Sequence, residues 1–173
     1  GATYDHGLYS DMSAIRKKLS HYINSHSVVL NLYSYTGAYS LWALKNNAKE
    51  VYSVDLSPKY LEWLQNNLDL NNDLDHTKHF SVLQSVQEAL KEFAKKKKKF
   101  NTIICDPPSS SSDGDKKSSA IKSYKELLQK MDLVLETNGI LIVFLNTHQI
   151  NHEKFLKIIM ENIKELKLNY KVQ

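Results

Sequence analysis

Five short apolar runs alternate with amphipathic stretches along this chain of 173 residues. The runs are rich in valine, isoleucine and leucine and are short, which is typical of strands buried on both faces of a sheet. They cover Val28–Leu32, Val51–Val54, Phe80–Leu83, Thr102–Cys105 and Ile140–Leu145. Because strands that alternate with helices form parallel pairs, the pattern predicts an α/β fold: a mostly parallel, twisted sheet with helices on both faces.

The stretches between the runs carry apolar residues at helical spacing. Ser57 can cap a helix that has Pro58 in its first position. The apolar faces consist of Tyr60, Leu61, Leu64 and Leu68 in the first such helix, Ile121, Tyr124, Leu128, Met131 and Leu135 in the next, and Phe155, Ile158, Ile159 and Ile163 in the last. The Asn138-Gly139 turn leads into the fifth run.

Composition narrows the class of protein. Residues 1–173 suit a single domain, and no internal linker interrupts them. The single cysteine, Cys105, excludes a disulfide framework and a multi-thiolate zinc site. No apolar run approaches the roughly 20 residues of a membrane helix, and no signal peptide opens the sequence, so we expect a soluble, cytoplasmic protein without a membrane partner. The net charge of +4 permits an acidic partner such as nucleic acid.

Two segments allow more than one interpretation. Lys95–Lys99 is either a solvated helix end or a source of non-specific attraction to RNA phosphates. Leu166–Val172 resembles the beginning of a sixth strand, at which the sequence stops. We therefore expect either a sheet that lacks its last edge strand or a truncated chain.

Ligands of open α/β sheets bind at the carboxyl ends of the strands, so the segments after the first, second and fourth runs are candidate sites. The first run leads into a segment with a single glycine, Gly37. A dinucleotide-binding fingerprint needs three glycines and is therefore excluded, and a phosphate-binding lysine loop is also absent. Asp55 ends the second run, where an acidic residue suits two ribose hydroxyls. Asp106-Pro107-Pro108-Ser109 follows the fourth, where two prolines make a rigid rim.

Taken in order, these motifs resemble a known family. Leu30–Ala38, Val54–Trp63, Asn67–Asn71 and Asp106–Ser109 look like the class I S-adenosylmethionine-dependent methyltransferases that modify 23S ribosomal RNA, of the RlmI and RlmK type. Upstream, Gly7–Asp11 with Arg16 resembles the element G-F-F-L-D-x-R-x-x-R of that family. The resemblance runs from Gly7 to Gly139.

The resemblance implies a Rossmann-like fold in residues 28–173, a cofactor-closing segment in residues 1–27, and S-adenosylmethionine as the cofactor. It implies that the loop after strand one passes the methionine part and the ribose, that Asp55 holds the ribose hydroxyls, and that Leu56 packs on the adenine. Asp106–Ser109 would face the methyl group and the target base as the catalytic segment. The implied cofactor-binding residues are Asp11, Arg16, Asn31, Tyr33, Ser34, Tyr35, Thr36, Gly37, Asp55, Leu56, Ser85 and Asp106.

The sequence departs from the family at several positions. Ser85 aligns with an aspartate that accepts a hydrogen bond from the adenine amino group, and Ser13 aligns with the middle arginine of the N-terminal element. The 173 residues hold no counterpart of the RNA-binding PUA domain of the RlmI branch. A partner domain or subunit for RNA recognition is therefore expected.

The residues favour methyl transfer to a ring nitrogen such as guanine N7 over transfer to cytosine C5. The C5 reaction needs a cysteine thiolate. The members of the family that methylate C5 carry this cysteine after strand five, where the present chain has Phe144–His148 and no cysteine. We expect Cys105 to be a buried core thiol, because its side chain should point away from the side of Asp106. Asn146 either contacts the base or caps the next helix.

Other functions remain open on the sequence alone. His148 and His152 are four positions apart, but no third ligand accompanies them, so no metal is expected. The altered Ser85 and Ser13 favour, as an alternative, a degenerate module that binds the cofactor or RNA without catalysis. A methyltransferase of small molecules or proteins is the third hypothesis.

Overall fold

The computed structural model describes residues 13–108, 116–145 and 151–172. Within them, five strands form one sheet in the order β3-β2-β1-β4-β5, and every neighbouring pair is parallel. The strands are β1 (Val28–Leu32), β2 (Glu50–Asp55), β3 (His79–Leu83), β4 (Phe100–Cys105) and β5 (Leu135–Val143). This is the predicted α/β sheet, and its strand order reverses between β1 and β4, where such folds bind ligands.

Six helices accompany the strands in the described ranges. They are α1 (Ser13–Leu19), α2 (Ala38–Lys45), α3 (Pro58–Asp69), α4 (Val86–Lys95), α5 (Lys116–Asp132) and α6 (His152–Glu165). None of them is long and apolar enough to cross a membrane. The cap predicted for α3 is confirmed, because the Ser57 hydroxyl accepts the Tyr60 N–H at 3.4 Å.

Each face of the sheet has its own core, as the prediction of helices on both faces required. On one face, β1, β2 and β4 pack against α1, α2 and α3 through residues such as Val29, Ala43 and Leu64. On the other, the strands pack against α4, α5 and α6 through residues such as Leu30, Leu90 and Leu128. Alternate residues of each buried strand therefore serve opposite cores.

Two expectations near the chain's end were wrong. Leu135 was assigned to the apolar face of a helix, but α5 ends at Asp132 and Leu135 begins β5. The Asn138-Gly139 turn lies inside that strand as an irregularity, since Phe100 pairs with Leu135 and Thr102 already pairs with Ile140. Asn138 has a φ of 62°, a left-handed conformation that asparagine tolerates.

The segment Leu166–Val172, predicted to begin a sixth strand, forms no strand in the described residues. Instead it closes α6: Lys167 turns to a φ of 55°, and the Leu168 N–H donates to the Ile163 carbonyl at 3.0 Å. The Tyr170 hydroxyl then donates to Asp132 Oδ1 at 2.8 Å. The apolar residues of the segment cover the core at the end of a helix, which explains their strand-like pattern.

A row of polar side chains crosses the core beneath α2. Asn31 Nδ2 donates to Ser40 Oγ at 2.8 Å, and Ser40 Oγ lies 2.6 Å from Ser53 Oγ. Ser53 Oγ lies 2.7 Å from Nε2 of His79, the first residue of β3. Burial, with a smaller contribution from nearby His76, lowers the pKa of His79 from 6.5 to about 4.

This lowered pKa makes stability depend on pH. As the pH falls below about 6.5, the unfolded chain binds a proton at His79 that the folded chain refuses until about pH 4, so stability is lost across this window. We expect the free energy of unfolding to fall by about 2 to 3 kcal/mol between about pH 7 and about pH 4.5 from this group. Urea unfolding of the wild type and of His79→Gln at both pH values measures it. An equal loss of stability in both proteins would contradict the assignment.

Candidate cofactor-binding site

The loop between β1 and α2, residues 33–37, is tied to the end of β2. The Ser34 N–H donates to the Val54 carbonyl at 3.0 Å, and the Tyr35 N–H donates to Asp55 Oδ2 at 2.9 Å. A third bond holds the far side of the loop, since Asn67 Nδ2 donates to the Thr36 carbonyl at 2.9 Å. The loop and Asp55, predicted separately from the sequence, therefore lie together at the carboxyl edge of the sheet.

The loop has an unusual backbone. Tyr33 and Tyr35 have φ values of 57° and 50°, which bulky side chains rarely adopt. Gly37 follows with a φ of 86°, and a Cβ on it would lie 2.4 Å from Leu64 Cγ. Only glycine fits between this backbone and α3. Strain of this kind persists where the surroundings fix the loop, and it is found at ligand sites.

Gly37 is also the N-cap residue of α2. In the described chain, no side-chain oxygen caps this helix, because the capping residue is itself a glycine. The first amide groups of a helix point along its axis and carry a partial positive charge. The start of α2 can therefore receive a negatively charged group.

Asp55 accepts hydrogen bonds with both carboxylate oxygens. Oδ2 receives the Tyr35 N–H, and Oδ1 receives the Ser57 N–H at 2.9 Å. Burial raises the pKa of Asp55 above its ordinary value, while the backbone N–H groups of Ser57 and Leu56 oppose the rise. A carboxylate offers about four acceptor positions, so Asp55 keeps acceptor capacity for a ligand.

Leu56 and Ser85 flank this corner at the tips of β2 and β3. Leu56 is 71% exposed, so its side chain is accessible at this corner. The Ser85 hydroxyl caps α4, accepting the Glu88 N–H at 3.2 Å and donating to Glu88 Oε2 at 2.6 Å. This cap was not predicted from the sequence, although Ser85 and Glu88 have the spacing of a capping box.

Among the described residues, one oxygen near the end of β1 and one in the loop have no hydrogen-bond partner. Within the described residues, Asn31 Oδ1 and Ser34 Oγ are buried and accept no hydrogen bond. Asn31 itself is fully buried below the loop, on the face covered by α2. Because unpaired buried polar atoms cost free energy and are rare, these oxygens indicate a place where a polar ligand donates hydrogen bonds.

The segment after β4 begins next to the loop, because Leu32 at the end of β1 pairs with Cys105 at the end of β4. Asp106, Pro107 and Pro108 leave the sheet there. Burial is the main cause that raises the pKa of Tyr124 and of Cys105, and the charge of Asp106 adds to both shifts. Tyr33 lies on the same side, with a pKa raised to about 12 by burial and by the nearby Cys105. The loop after β1 therefore spans from Asp55 to the vicinity of Asp106.

Cys105 is a core thiol, as expected. Its side chain is fully buried in the core against α4 and α5, and burial raises its pKa strongly. The tyrosines in and after the loop differ in their burial. Tyr39 is buried and stacks on Phe144 at 5.4 Å, whereas Tyr35 is half-buried against Tyr60 at 4.7 Å.

The lysine run lies at the amino end of the sheet, away from this site. Lys98 pairs with Glu50 at 2.5 Å and sits 4.7 Å from the centre of the Tyr52 ring. Lys96 pairs with Glu92, and Lys99 Nζ donates to the Leu135 carbonyl at 3.2 Å. Three of the five lysines therefore hold local structure, which favours the interpretation as a solvated helix end.

Several predicted residues cannot be located in the site. Asp11, Ser109, Asn146 and His148 lie outside the described residues, and Arg16 lies in α1. The described part of the chain holds no group of three His, Cys, Asp or Glu side chains suited to a metal ion.

Sequence reasoning missed the polar row beneath the loop, formed by Asn31, Ser40, Ser53 and His79. One signal could have revealed it. Asn31 and Ser53 interrupt two otherwise apolar strand interiors, and they are direct partners in the register of β1 and β2. Two polar residues at matching depths in neighbouring buried strands indicate a shared hydrogen-bond network.

Known proteins resemble this chain along most of its length. Ribosomal RNA large subunit methyltransferase I of Aeromonas salmonicida is 31% identical over 156 residues, which are 90% of this chain and 39% of that protein. The protein of the same name from Yersinia pestis is 33% identical over 155 residues, with the same shares. The chain thus spans about two fifths of these relatives' length.

Solved structures agree. SMU.776, described as a methyltransferase and crystallised with SAH, superposes with a TM-score of 0.80 at 28% identity, over 91% of this chain and 41% of that one. The resemblance inferred from the motifs and the Rossmann-like class I methyltransferase fold are therefore confirmed. Residues 12–162 match the sequence profile of one family. The chain belongs to that family, described as conserved hypothetical protein 95.

Proposed function

We propose that this chain is an S-adenosylmethionine-dependent methyltransferase, of the EC 2.1.1 type, that acts on RNA of the large ribosomal subunit. The observation that carries the proposal is the hydrogen bond between the Tyr35 N–H and Asp55, which joins the predicted cofactor loop to the predicted ribose acceptor. The named rRNA methyltransferases that the chain resembles give the substrate class.

The residues at the site fit the cofactor. The start of α2 suits the carboxylate of the methionine part, and the unpaired oxygens of Asn31 and Ser34 suit its ammonium group. The remaining acceptor capacity of Asp55 suits the two ribose hydroxyls. The exposed Leu56 provides an apolar surface for the adenine ring.

Three other residues complete the proposed pocket. The Ser85 hydroxyl retains one lone pair that can accept from the adenine amino group, because its other lone pair and its proton are used in the cap. Asp11 and Arg16 are proposed to close over the cofactor from the N-terminal segment. The whole of residues 1–173 would then work as one methyltransferase domain, with residues 28–173 as its core.

When bound, the cofactor supplies a methyl group on a positively charged sulfur, which passes directly to a nucleophile. The chain's own contribution is positioning. Asp106 to Ser109 would form the rim that orients the target base, because the two prolines fix its backbone. Asp55 and the loop would hold the other half of the geometry.

We further propose transfer to a ring nitrogen such as guanine N7. Transfer to cytosine C5 needs a thiolate that attacks the ring, and the chain's one cysteine, Cys105, is a fully buried neutral thiol in the core. A ring nitrogen carries its own lone pair and needs no protein nucleophile.

RNA recognition is proposed to involve a partner domain or subunit. The named relatives are longer, since this chain covers 39% of each, and the lysine run lies at the edge of the sheet opposite the site. We propose the cytoplasm as the site of the reaction, in keeping with this substrate class.

Methyl transfer to unmodified large-subunit ribosomal RNA tests the proposal. With tritiated S-adenosylmethionine, we expect label in RNA and, after digestion, in 7-methylguanosine, with transfer at least about tenfold lower for Asp55→Asn because a charged acceptor is lost. Label in 5-methylcytidine would overturn the proposed N7 target. Cofactor binding without transfer would favour the non-catalytic module, and transfer in a cell extract that survives ribonuclease would favour a protein or small-molecule substrate.

A second experiment separates ribose binding by Asp55 from its role in holding the loop. Calorimetry would compare S-adenosylhomocysteine with its 2′-deoxy form, on the wild type and on Asp55→Asn. If Asp55 accepts from the hydroxyl, removing the hydroxyl weakens binding about tenfold in the wild type and much less in the variant. As a matched control, Asn67→Ala loosens the loop at Thr36 and should keep the full tenfold difference. Equal losses in all three proteins would contradict direct contact.

A further inference from the structure

In the polar row beneath α2, made of Asn31, Ser40, Ser53 and His79, only Asn31 has a part in the mechanism described so far. The side chains of Asn31, Ser40 and Ser53 are completely buried. Their three links measure 2.8 Å, 2.6 Å and 2.7 Å from Asn31 to His79. A buried polar network rigidifies the core when its donors and acceptors are paired, so the direction of each hydrogen bond matters.

The donors can be ordered in one way that gives both serine hydroxyl protons an acceptor. Asn31 Nδ2 donates to Ser40, so Ser40 must donate to Ser53, and Ser53 must donate to Nε2 of His79. If Nε2 carried a proton instead, Ser53 would donate back to Ser40. Ser40 would then receive two protons and keep its own without an acceptor among the described residues. The network therefore requires a neutral His79 with its proton on Nδ1.

The row also connects the parts that form the site. Asn31 directly precedes the end of β1 and the loop, and Ser53 lies two positions before Asp55 on the same face of β2. Ser40 belongs to the first turn of α2. His79 anchors the row at the far strand, β3.

From this placement we propose that Ser40, Ser53 and His79 are positioning residues for the cofactor. By fixing the donor side of the Asn31 amide, they leave Oδ1 as its one unpaired acceptor and hold β1, β2 and the start of α2 at a set spacing. The loop can then meet Asp55 without rearrangement when the cofactor binds. The inference rests on the proposed function, since it concerns the same site.

Two substitutions of His79 separate positioning from simple stability. In His79→Gln, the side-chain oxygen can still accept from Ser53, whereas in His79→Leu nothing accepts the proton. With S-adenosylhomocysteine as the probe in calorimetry, we expect His79→Gln to bind within about twofold of the wild type and His79→Leu about fivefold more weakly. Ser53→Ala, which only removes atoms, should weaken binding like His79→Leu and serves if that variant does not fold.

Val51→Ala is the control for stability. Val51 is fully buried in β2 on the same face, but it lies outside the row, so its truncation lowers the melting temperature without changing the hydrogen bonds. Binding by Val51→Ala should remain at the wild-type level. If Val51→Ala weakened binding as much as His79→Leu does, the positioning role would be overturned. Normal binding by both His79→Leu and Ser53→Ala would also overturn it, provided that Asp55→Asn binds weakly. Absence of binding by the wild type would instead overturn the proposed function itself.

Discussion

The Asp55 carboxylate connects two segments at the carboxyl ends of the strands, and the arrangement of the site depends on it. One oxygen holds the loop after β1 through the Tyr35 N–H, and the other holds the start of α3 through the Ser57 N–H. The loop that is held in this way has Tyr33, Tyr35 and Gly37 in left-handed backbone conformations, which are strained for the two tyrosines. The same carboxylate is half-buried and still has acceptor capacity, so its structural role is compatible with the ligand-binding role that we propose for it.

Much of the architecture could be predicted from local pattern. Buried parallel strands appear as short apolar runs, and the cap at Ser57 depends only on its neighbours, so both were correct. The burial of Cys105 followed from strand alternation. The helix predicted to include Leu135 and the strand predicted from Leu166 were both wrong. Leu135, Leu166 and Leu168 are apolar because they pack against the core, and such packing gives helices, strands and helix ends the same sequence pattern.

The site was predictable in outline only. The loop and Asp55 could be placed together because parallel strands end at one edge of the sheet. The bond that joins them is made by a backbone N–H, which no residue identity reveals. The polar row from Asn31 to His79 joins residues far apart in the sequence, so its members become recognisable only when the register of the strands is known.

The proposed cofactor site lies at the carboxyl ends of the strands, whereas the lysine run lies at their amino ends. Cofactor binding at Asp55 is the central claim that we propose for this chain. A crystal structure of the chain with S-adenosylhomocysteine tests that claim most directly. We predict both ribose hydroxyls within hydrogen-bond distance of the Asp55 carboxylate, with the loop still held by the Tyr35 N–H. A ligand bound elsewhere, or bound without contact to Asp55, would contradict it.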